Sequence, residues 1–334
     1  MKRLRSGRRP TEWFFSLSLC APLVLLLLFG EWSIAETEFK VPEKKFLIKP
    51  YIEIPGLLLE LKSNFNKDKS VIWAPNYRAQ TGLSLAYNGW IGVSAAGKGD
   101  LRQEDQALKG DTSYTDFRFR FPWRRISFEF GYQRTRGFFA ENTSAFDSSA
   151  NGTYLKRPDL QLESKYLQMI AVLKPDRYSL AAAFDQSEQH VSDGGSLLAV
   201  LQFIETGFSD SQAIIPVPLQ ASFGSEALVN RGLFRTVNMG IGYGHLFRFR
   251  ETVYAFGQIL AGVGAQMGKS YSDTQEFSAN ESSFLLKADL GFGTNGEDWV
   301  SGILFSIDSN SNKTSATELS RRLTLLQIFV GYRL

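Results

Sequence analysis

The chain has 334 residues and a formal charge of only +3, with 27 Phe, 29 Gly, 12 Tyr and a single Cys. So small an imbalance gives no reason to expect a nucleic-acid partner, and a lone thiol excludes a disulfide framework. The length suits either two ordinary domains or one all-β barrel, and no break in composition divides it, which favours the single unit.

Lys2, Arg3, Arg5, Arg8 and Arg9 precede an apolar run over 13–29 and then Ser33-Ile34-Ala35, the order of a secretory signal peptide cleaved after residue 35. A membrane anchor is the alternative, but Pro22 interrupts the run and it falls short of the roughly 20 residues a spanning helix needs. Twin-arginine export through Arg8-Arg9 and lipid attachment at Cys20 fit less well, since Leu19 stands where a small residue is expected. Cleavage would remove five basic and two acidic residues and leave a formally neutral mature chain without a thiol. No later segment is apolar enough for a spanning helix, so export points to the outer membrane of a double-membrane bacterium.

Residues 36–50 read as a polar periplasmic lead-in, and 51–334 as the barrel domain. A first strand over 51–62 carries Pro55-Gly56, which an edge or entry strand tolerates best. Thr81, Leu83, Leu85 and Tyr87 alternate with small residues, and Ile91, Val93 and Ala95 continue the row after Asn88-Gly89. Keeping Leu83 and Val93 on one face calls for a three-residue loop that includes Trp90.

The clearest stretch is 113–133. Phe117, Phe119 and Phe121 alternate with Asp116, Arg118 and Arg120, and beyond Pro122 the row restarts with Ile126, Phe128, Phe130 and Tyr132 against Ser127, Glu129, Gly131 and Gln133. Rings on one face and charges on the other fit a wall between lipid and a wet lumen. A four-residue turn pairing Phe121 with Ile126 would set Arg118 opposite Glu129.

Residues 137–163 read as a loop. Strands over 166–173 and 178–187 flank a Lys174-Pro175-Asp176-Arg177 turn, the second alternating Tyr178, Leu180, Ala182 and Phe184 with Ser179, Ala181, Ala183 and Asp185. From 190 to 231 periodicity fails: 196–204 is apolar without alternation, and Pro216 and Pro218 argue against strand over 213–223. That region is either two strands or a loop folded over or into the barrel. Alternation returns at Val237, Met239, Ile241 and Tyr243, and then over 253–265, 284–292 and 299–307. It ends with Leu326, Ile328, Val330, Tyr332 and Leu334, close to a C-terminal assembly signal except for its final Leu.

The sum is an all-β, single antiparallel transmembrane β-barrel of 12 strands, or 14 if 190–231 supplies two. Short turns at one end and longer loops at the other agree only if 190–231 adds an even number. A soluble sandwich or lipocalin-like barrel would share the alternation, but the signal peptide and the many ring-rich strands favour the membrane form.

Several short motifs occur in a telling order. Ala74-Pro75-Asn76 is followed by Lys109-Gly110-Asp111-Thr112-Ser113-Tyr114-Thr115-Asp116 and Tyr132-Gln133-Arg134-Thr135-Arg136-Gly137-Phe138-Phe139. Later come Arg157-Pro158-Asp159, Arg177-Tyr178-Ser179 and Gln189-His190-Val191-Ser192-Asp193-Gly194-Gly195-Ser196. Together they resemble the DUF4421 family over most of the mature chain. The resemblance implies an outer-membrane β-barrel and brings no activity or catalytic residues. Thr135-Arg136-Gly137 and His190 depart from the family's usual residues, so no role passes to them.

One cluster has the residue types for chemistry. His190, Ser192 and Asp193, with Glu188, Gln189 and Ser196 nearby, contain the base, nucleophile and orienting group of a barrel lipid hydrolase. Gly194-Gly195 argues instead for a polar turn. Two histidines and no mature cysteine leave no metal site, and Gly240, Gly242 and Gly244 have strand spacing with no following helix, so no cofactor is expected. Asp116, Arg118, Arg120, Glu129, Asp185, Lys287 and Asp289 fall on inward positions and carry both signs. Mixed charge favours a salt-bridged plug over a steering pore, with a small solute as the one open cargo. The expected partners are outer-membrane lipids and, through the C-terminal strand, the barrel assembly machinery.

Overall fold

A computed structural model describes residues 39–87, 91–97, 103–123, 125–150, 152–314 and 316–334. The expected signal peptide and the expected Asn88-Gly89-Trp90 turn lie outside the described residues. Chain order runs from β1 (Phe39–Lys40) to β2 (Phe46–Ser63), β3 (Ser70–Ala74), β4 (Gln80–Tyr87) and β5 (Ile91–Gly97). The hairpin of β6 (Ser113–Trp123) and β7 (Ile126–Ala140) leads to β8 (Lys156–Val172), the short β9 (Gln189–His190) and β10 (Gly194–Ser209). Four long antiparallel pairings then link β10 to β11 (Arg231–Arg248), β12 (Val253–Tyr271), β13 (Glu276–Asn295) and β14 (Trp299–Lys313). The last strand is β15 (Thr317–Arg333).

Among the described residues, twelve strands form a closed antiparallel ring: β2, β4 to β8 and β10 to β15. The ring closes where β15 pairs with β2, Phe329 opposite Tyr51. Closure leaves no free edge, the condition for a sheet in hydrocarbon. β2 begins and β15 ends at one rim, the terminal end, and the opposite rim is the loop end. At the loop end β3 takes the place of the shorter strands, pairing Trp73 with Leu59 of β2 and with Ala140 of β7. Close strand approaches use paired glycines. Gly240 faces Gly262, and a Cβ on Gly240 would lie 2.2 Å from the Ala261 carbonyl oxygen.

Alternation puts apolar side chains outward. Ile241, Val263, Phe284, Leu290 and Ile328 are exposed, and Trp123, Phe247, Trp299 and Tyr332 ring the terminal end. Nearer the loop end the outward face turns charged, with Arg235–Glu205 at 2.8 Å and Lys165–Glu163 at 2.9 Å. No helix among the described residues is long and apolar enough to cross a membrane.

Several expectations need correction. The hairpin turn has two residues rather than four: Trp123 pairs with Ile126, so Arg120 and not Arg118 stands opposite Glu129. Pro122 stays within the strand, and a slip of two keeps every ring on its face. The first ring strand starts at Phe46, inside the expected lead-in, and Phe39 pairs with His190. Pro55 is tolerated because it lies between Glu53 and Leu59, in the gap where neither β4 nor β3 pairs with β2.

The strand count of 12 holds with one member exchanged. Residues 178–187 are not a strand but a segment containing a π-helical turn at Ala181–Asp185, and 190–231 supplies one strand, β10, instead of an even number. β10 concealed its alternation because inward Leu198 and Val200 meet apolar filling while outward Leu197 and Phe203 are exposed. Strands also run past the expected boundaries, leaving connections of only 141–155, 272–275 and 314–316. Their outward ends carry Ser278, Asn280 and Ser282, which lack the apolar signal.

Candidate functional site

Three layers fill the barrel. At the loop end, 210–230 folds inward, and Ile214, Ile215, Leu219 and Phe223 pack against Trp73, Phe138 and Leu160. Trp73 Nε1 donates to the Ile214 carbonyl at 3.2 Å, and buried Glu226 accepts from the Thr314 hydroxyl and, at 3.3 Å, from the Ala316 N–H. The loop-into-barrel alternative thus describes 210–230 only, since 194–209 of the same region form β10.

At the terminal end, 173–193 enters the lumen. Lys174 begins it as a turn, its carbonyl accepting from the Arg177 and Tyr178 N–H groups at 3.1 Å each. Tyr178, Leu180, Ala182 and Ala183 then pack against Leu198, Leu246, Phe256 and Leu285, and Phe184 meets Phe256 at 4.9 Å between ring centroids. Alanines let the coil fit inside a narrow wall. Four polar groups tether it: Lys49 Nζ donates to the Phe184 carbonyl at 3.1 Å and to Gln186 Oε1 at 2.6 Å. Arg333 donates to the Gln186 carbonyl, Arg120 Nη1 to Asp185 Oδ1 at 2.8 Å, and the Tyr178 hydroxyl to Gln258 Oε1 at 3.3 Å.

Between these apolar plugs lies a polar layer, and the inward charges meet there. Asp116 accepts from the Tyr114 hydroxyl at 2.7 Å, Arg118 Nε at 3.1 Å and Gln133 Nε2 at 3.0 Å. Glu129 accepts from Arg120 Nε at 3.0 Å and from the Tyr166 hydroxyl at 2.9 Å. Arg120 thus joins two wall strands to the terminal plug. Asp289 accepts from Gln258 at 3.2 Å and the Ser306 hydroxyl at 2.7 Å, and Lys287 stands opposite Asp308 on the same inward face.

Sequence reasoning missed Glu53, Lys49, Arg321 and Arg333. Glu53 is fully buried, with an Arg118 nitrogen 3.9 Å from its carboxylate. Lys49 and Glu53 alternate with outward Ile48, Pro50, Ile52 and Ile54, a signal lost by starting the strand at 51. Arg321 and Arg333 share the inward phase of the final alternating strand. They were readable from its period.

The hydrolase candidates sit at the terminal end. His190 Nε2 accepts the Ser179 N–H at 3.2 Å and its ring lies 5.8 Å from Phe39, while Asp193 accepts the Arg248 N–H. Glu188 accepts from the Ser179 hydroxyl. Among the described residues no group of three or more His, Cys, Asp or Glu is placed to hold a metal ion.

The model of a family described as a domain of unknown function (DUF4421) matches residues 39–334. The chain is similar to the outer membrane protease OmpT from Escherichia coli at 9% identity, over 90% of this chain and 99% of that one, with a TM-score of 0.40. The P. putida toluene transporter TodX matches at 9% identity over 87% of this chain and 90% of its own, with a TM-score of 0.28. Ail, the attachment invasion locus protein of Yersinia pestis, matches at 11% identity over 84% and 98%, with a TM-score of 0.22. No curated protein matches the chain.

Proposed function

The chain belongs to the DUF4421 family, and from that premise we propose that its mature form is a non-enzymatic outer-membrane β-barrel, closed at rest, that serves the envelope as a structural or surface-interaction protein. Residues 1–35 direct export, and β15 presents the C-terminal strand to the assembly machinery. One observation carries this reading: a ring with an apolar exterior encloses a charged layer sealed above and below by apolar plugs. Hydrocarbon accepts that exterior, and water would not.

A narrow channel is the second reading, supported by the polar middle layer. It requires both plugs to leave. Planar-bilayer recordings test the two together: the wild-type protein gives no steps, deletion of 181–186 or of 214–227 alone stays silent, and the double deletion conducts. Steps from the wild-type protein would sink the closed resting state. The bonds from His190 to Ser179 and from Asp193 to Arg248 support a structural role for that turn. Phospholipid release by the wild-type protein that His190→Ala or Ser192→Ala abolishes would restore the hydrolase.

A further inference from the structure

At the loop end, the outward face of five adjacent strands, β7, β8, β10, β11 and β12, carries an exposed basic arc. Its members are Arg134 and Arg136 of β7, Lys165 of β8, Arg231 and Arg235 of β11 and Lys269 of β12. Register makes them neighbours: Arg134 faces Glu163, Lys165 faces Glu205, Glu205 faces Arg235 and Lys269 faces Leu233. The outward row directly below, Phe130, Leu167, Phe203 and Val237, is apolar and begins the band that hydrocarbon would cover. On β13 and β14 the outward positions at this end are Ser278, Asn280, Ser282, Ser309 and Ser311, so the cations are gathered to one side of the ring.

Salt bridges do not use up this charge. The side chains of Arg235 and Glu205 are 64% and 36% exposed, and those of Lys165 and Glu163 are 57% and 30%. Arg136–Asp159 and Lys269–Glu276 keep the same order, so the cations project and the carboxylates lie beneath them. The other two cations have neutral partners: Arg134 Nη2 donates to Gln161 Oε1 at 2.8 Å, and Arg231 stands 5.7 Å from the centre of the Tyr271 ring. Four of the six are arginines, whose planar fork fits two oxygens of one phosphate. Arg231 and Arg235 lie four residues apart on β11, which is about 13 Å of strand and about 10 Å of depth at the usual tilt. Glycerophospholipid headgroups fill a layer of roughly 5–8 Å. A headgroup that meets both arginines is therefore taller, as one with phosphates mounted on a saccharide would be.

We propose that this arc binds the phosphorylated saccharide headgroup of an outer-leaflet lipid, with phosphates against Arg134 and Arg231. The inference rests on the membrane placement proposed above, with the loop end outward. Full-length mature protein in detergent, titrated with bisphosphorylated lipid A and read by native mass spectrometry, is expected to retain the lipid. Arg134→Gln combined with Arg231→Gln weakens that binding tenfold or more, and so does removal of both phosphates from the lipid. Lys62→Gln combined with Arg322→Gln, on β2 and β15 across the ring, leaves it unchanged. Heat-modifiable migration of both double variants matches the wild type, which shows that the barrel has formed. Dephosphorylated lipid A or phosphatidylglycerol bound as tightly as lipid A overturns the proposal, as does wild-type affinity in Arg134→Gln with Arg231→Gln. The two readings fail separately: a barrel that stays dispersed without detergent defeats the membrane placement, whereas one that needs detergent and ignores lipid A defeats the arc alone.

Discussion

Arg120 does the most for its size, because one fork reaches Glu129 on the wall and Asp185 on the plug. Removing one member of a buried pair strands the others, at a typical cost of about 3–5 kcal/mol. Arg120→Met is expected to lower stability by roughly that much and to open 181–186 to protease, as read by urea unfolding and limited proteolysis. Unchanged values would mean the fork does not hold the plug. Glu188, outside the strands, gives a pH signature. Burial raises its carboxyl above the ordinary value, the Ser179 hydroxyl opposing and the Asp185 charge adding to the rise. The folded form therefore keeps its proton to higher pH than the unfolded chain. Stability from this group is full below the ordinary glutamate range, declines as pH rises from there to the raised folded value, and is level above. Urea midpoints measured across that window should fall for the wild-type protein and lose this component in Glu188→Gln.

For the elements, the alternation rule succeeded and failed for the same reason. It reports contrast between the two faces of a strand, so β6, β7 and β13, with outward rings and inward charge, are legible. β10 is not, because its inner face meets a plug as apolar as its outer face. Tyr178 to Phe184 mimic a strand although Ala181 to Ala183 coil inside the lumen, a placement that only the surrounding wall imposes. Close strand approaches give a further test. Gly240→Val puts side-chain carbon against the Ala261 carbonyl and is expected to abolish the heat-resistant band on electrophoresis. Gly257→Val is the control, since a Cβ there meets only Leu290 at 3.4 Å. Equal behaviour of the two would remove the argument that the β12 backbone lies too close to Gly240 for a side chain.

At the scale of the whole molecule, the exterior decides where the protein resides. Ile241 is 73% exposed midway between the charged belt at Arg235 and the ring at Phe247. Replacement by Arg at the midplane should cost about 2–4 kcal/mol in lipid vesicles. In a water-soluble barrel it would cost nothing, so equal urea midpoints for Ile241→Arg and wild type would contradict the membrane placement. The same exterior should make the wild-type protein aggregate when detergent is withdrawn.

The amino-acid order alone determined the export signal as an expectation, the antiparallel period and the inward phase of Asp116, Arg118, Arg120, Glu129, Lys287 and Asp289, because these depend on neighbours two residues apart; its count of 12 or 14 strands included 178–187 and left out β10. Tertiary structure decided which segments became plugs, the hairpin register that pairs Arg120 with Glu129, and the meeting of Arg157 with Asp210 across 52 intervening residues. Those features depend on groups far apart in the chain competing for one enclosed space, and no local pattern encodes the volume left inside a closed wall.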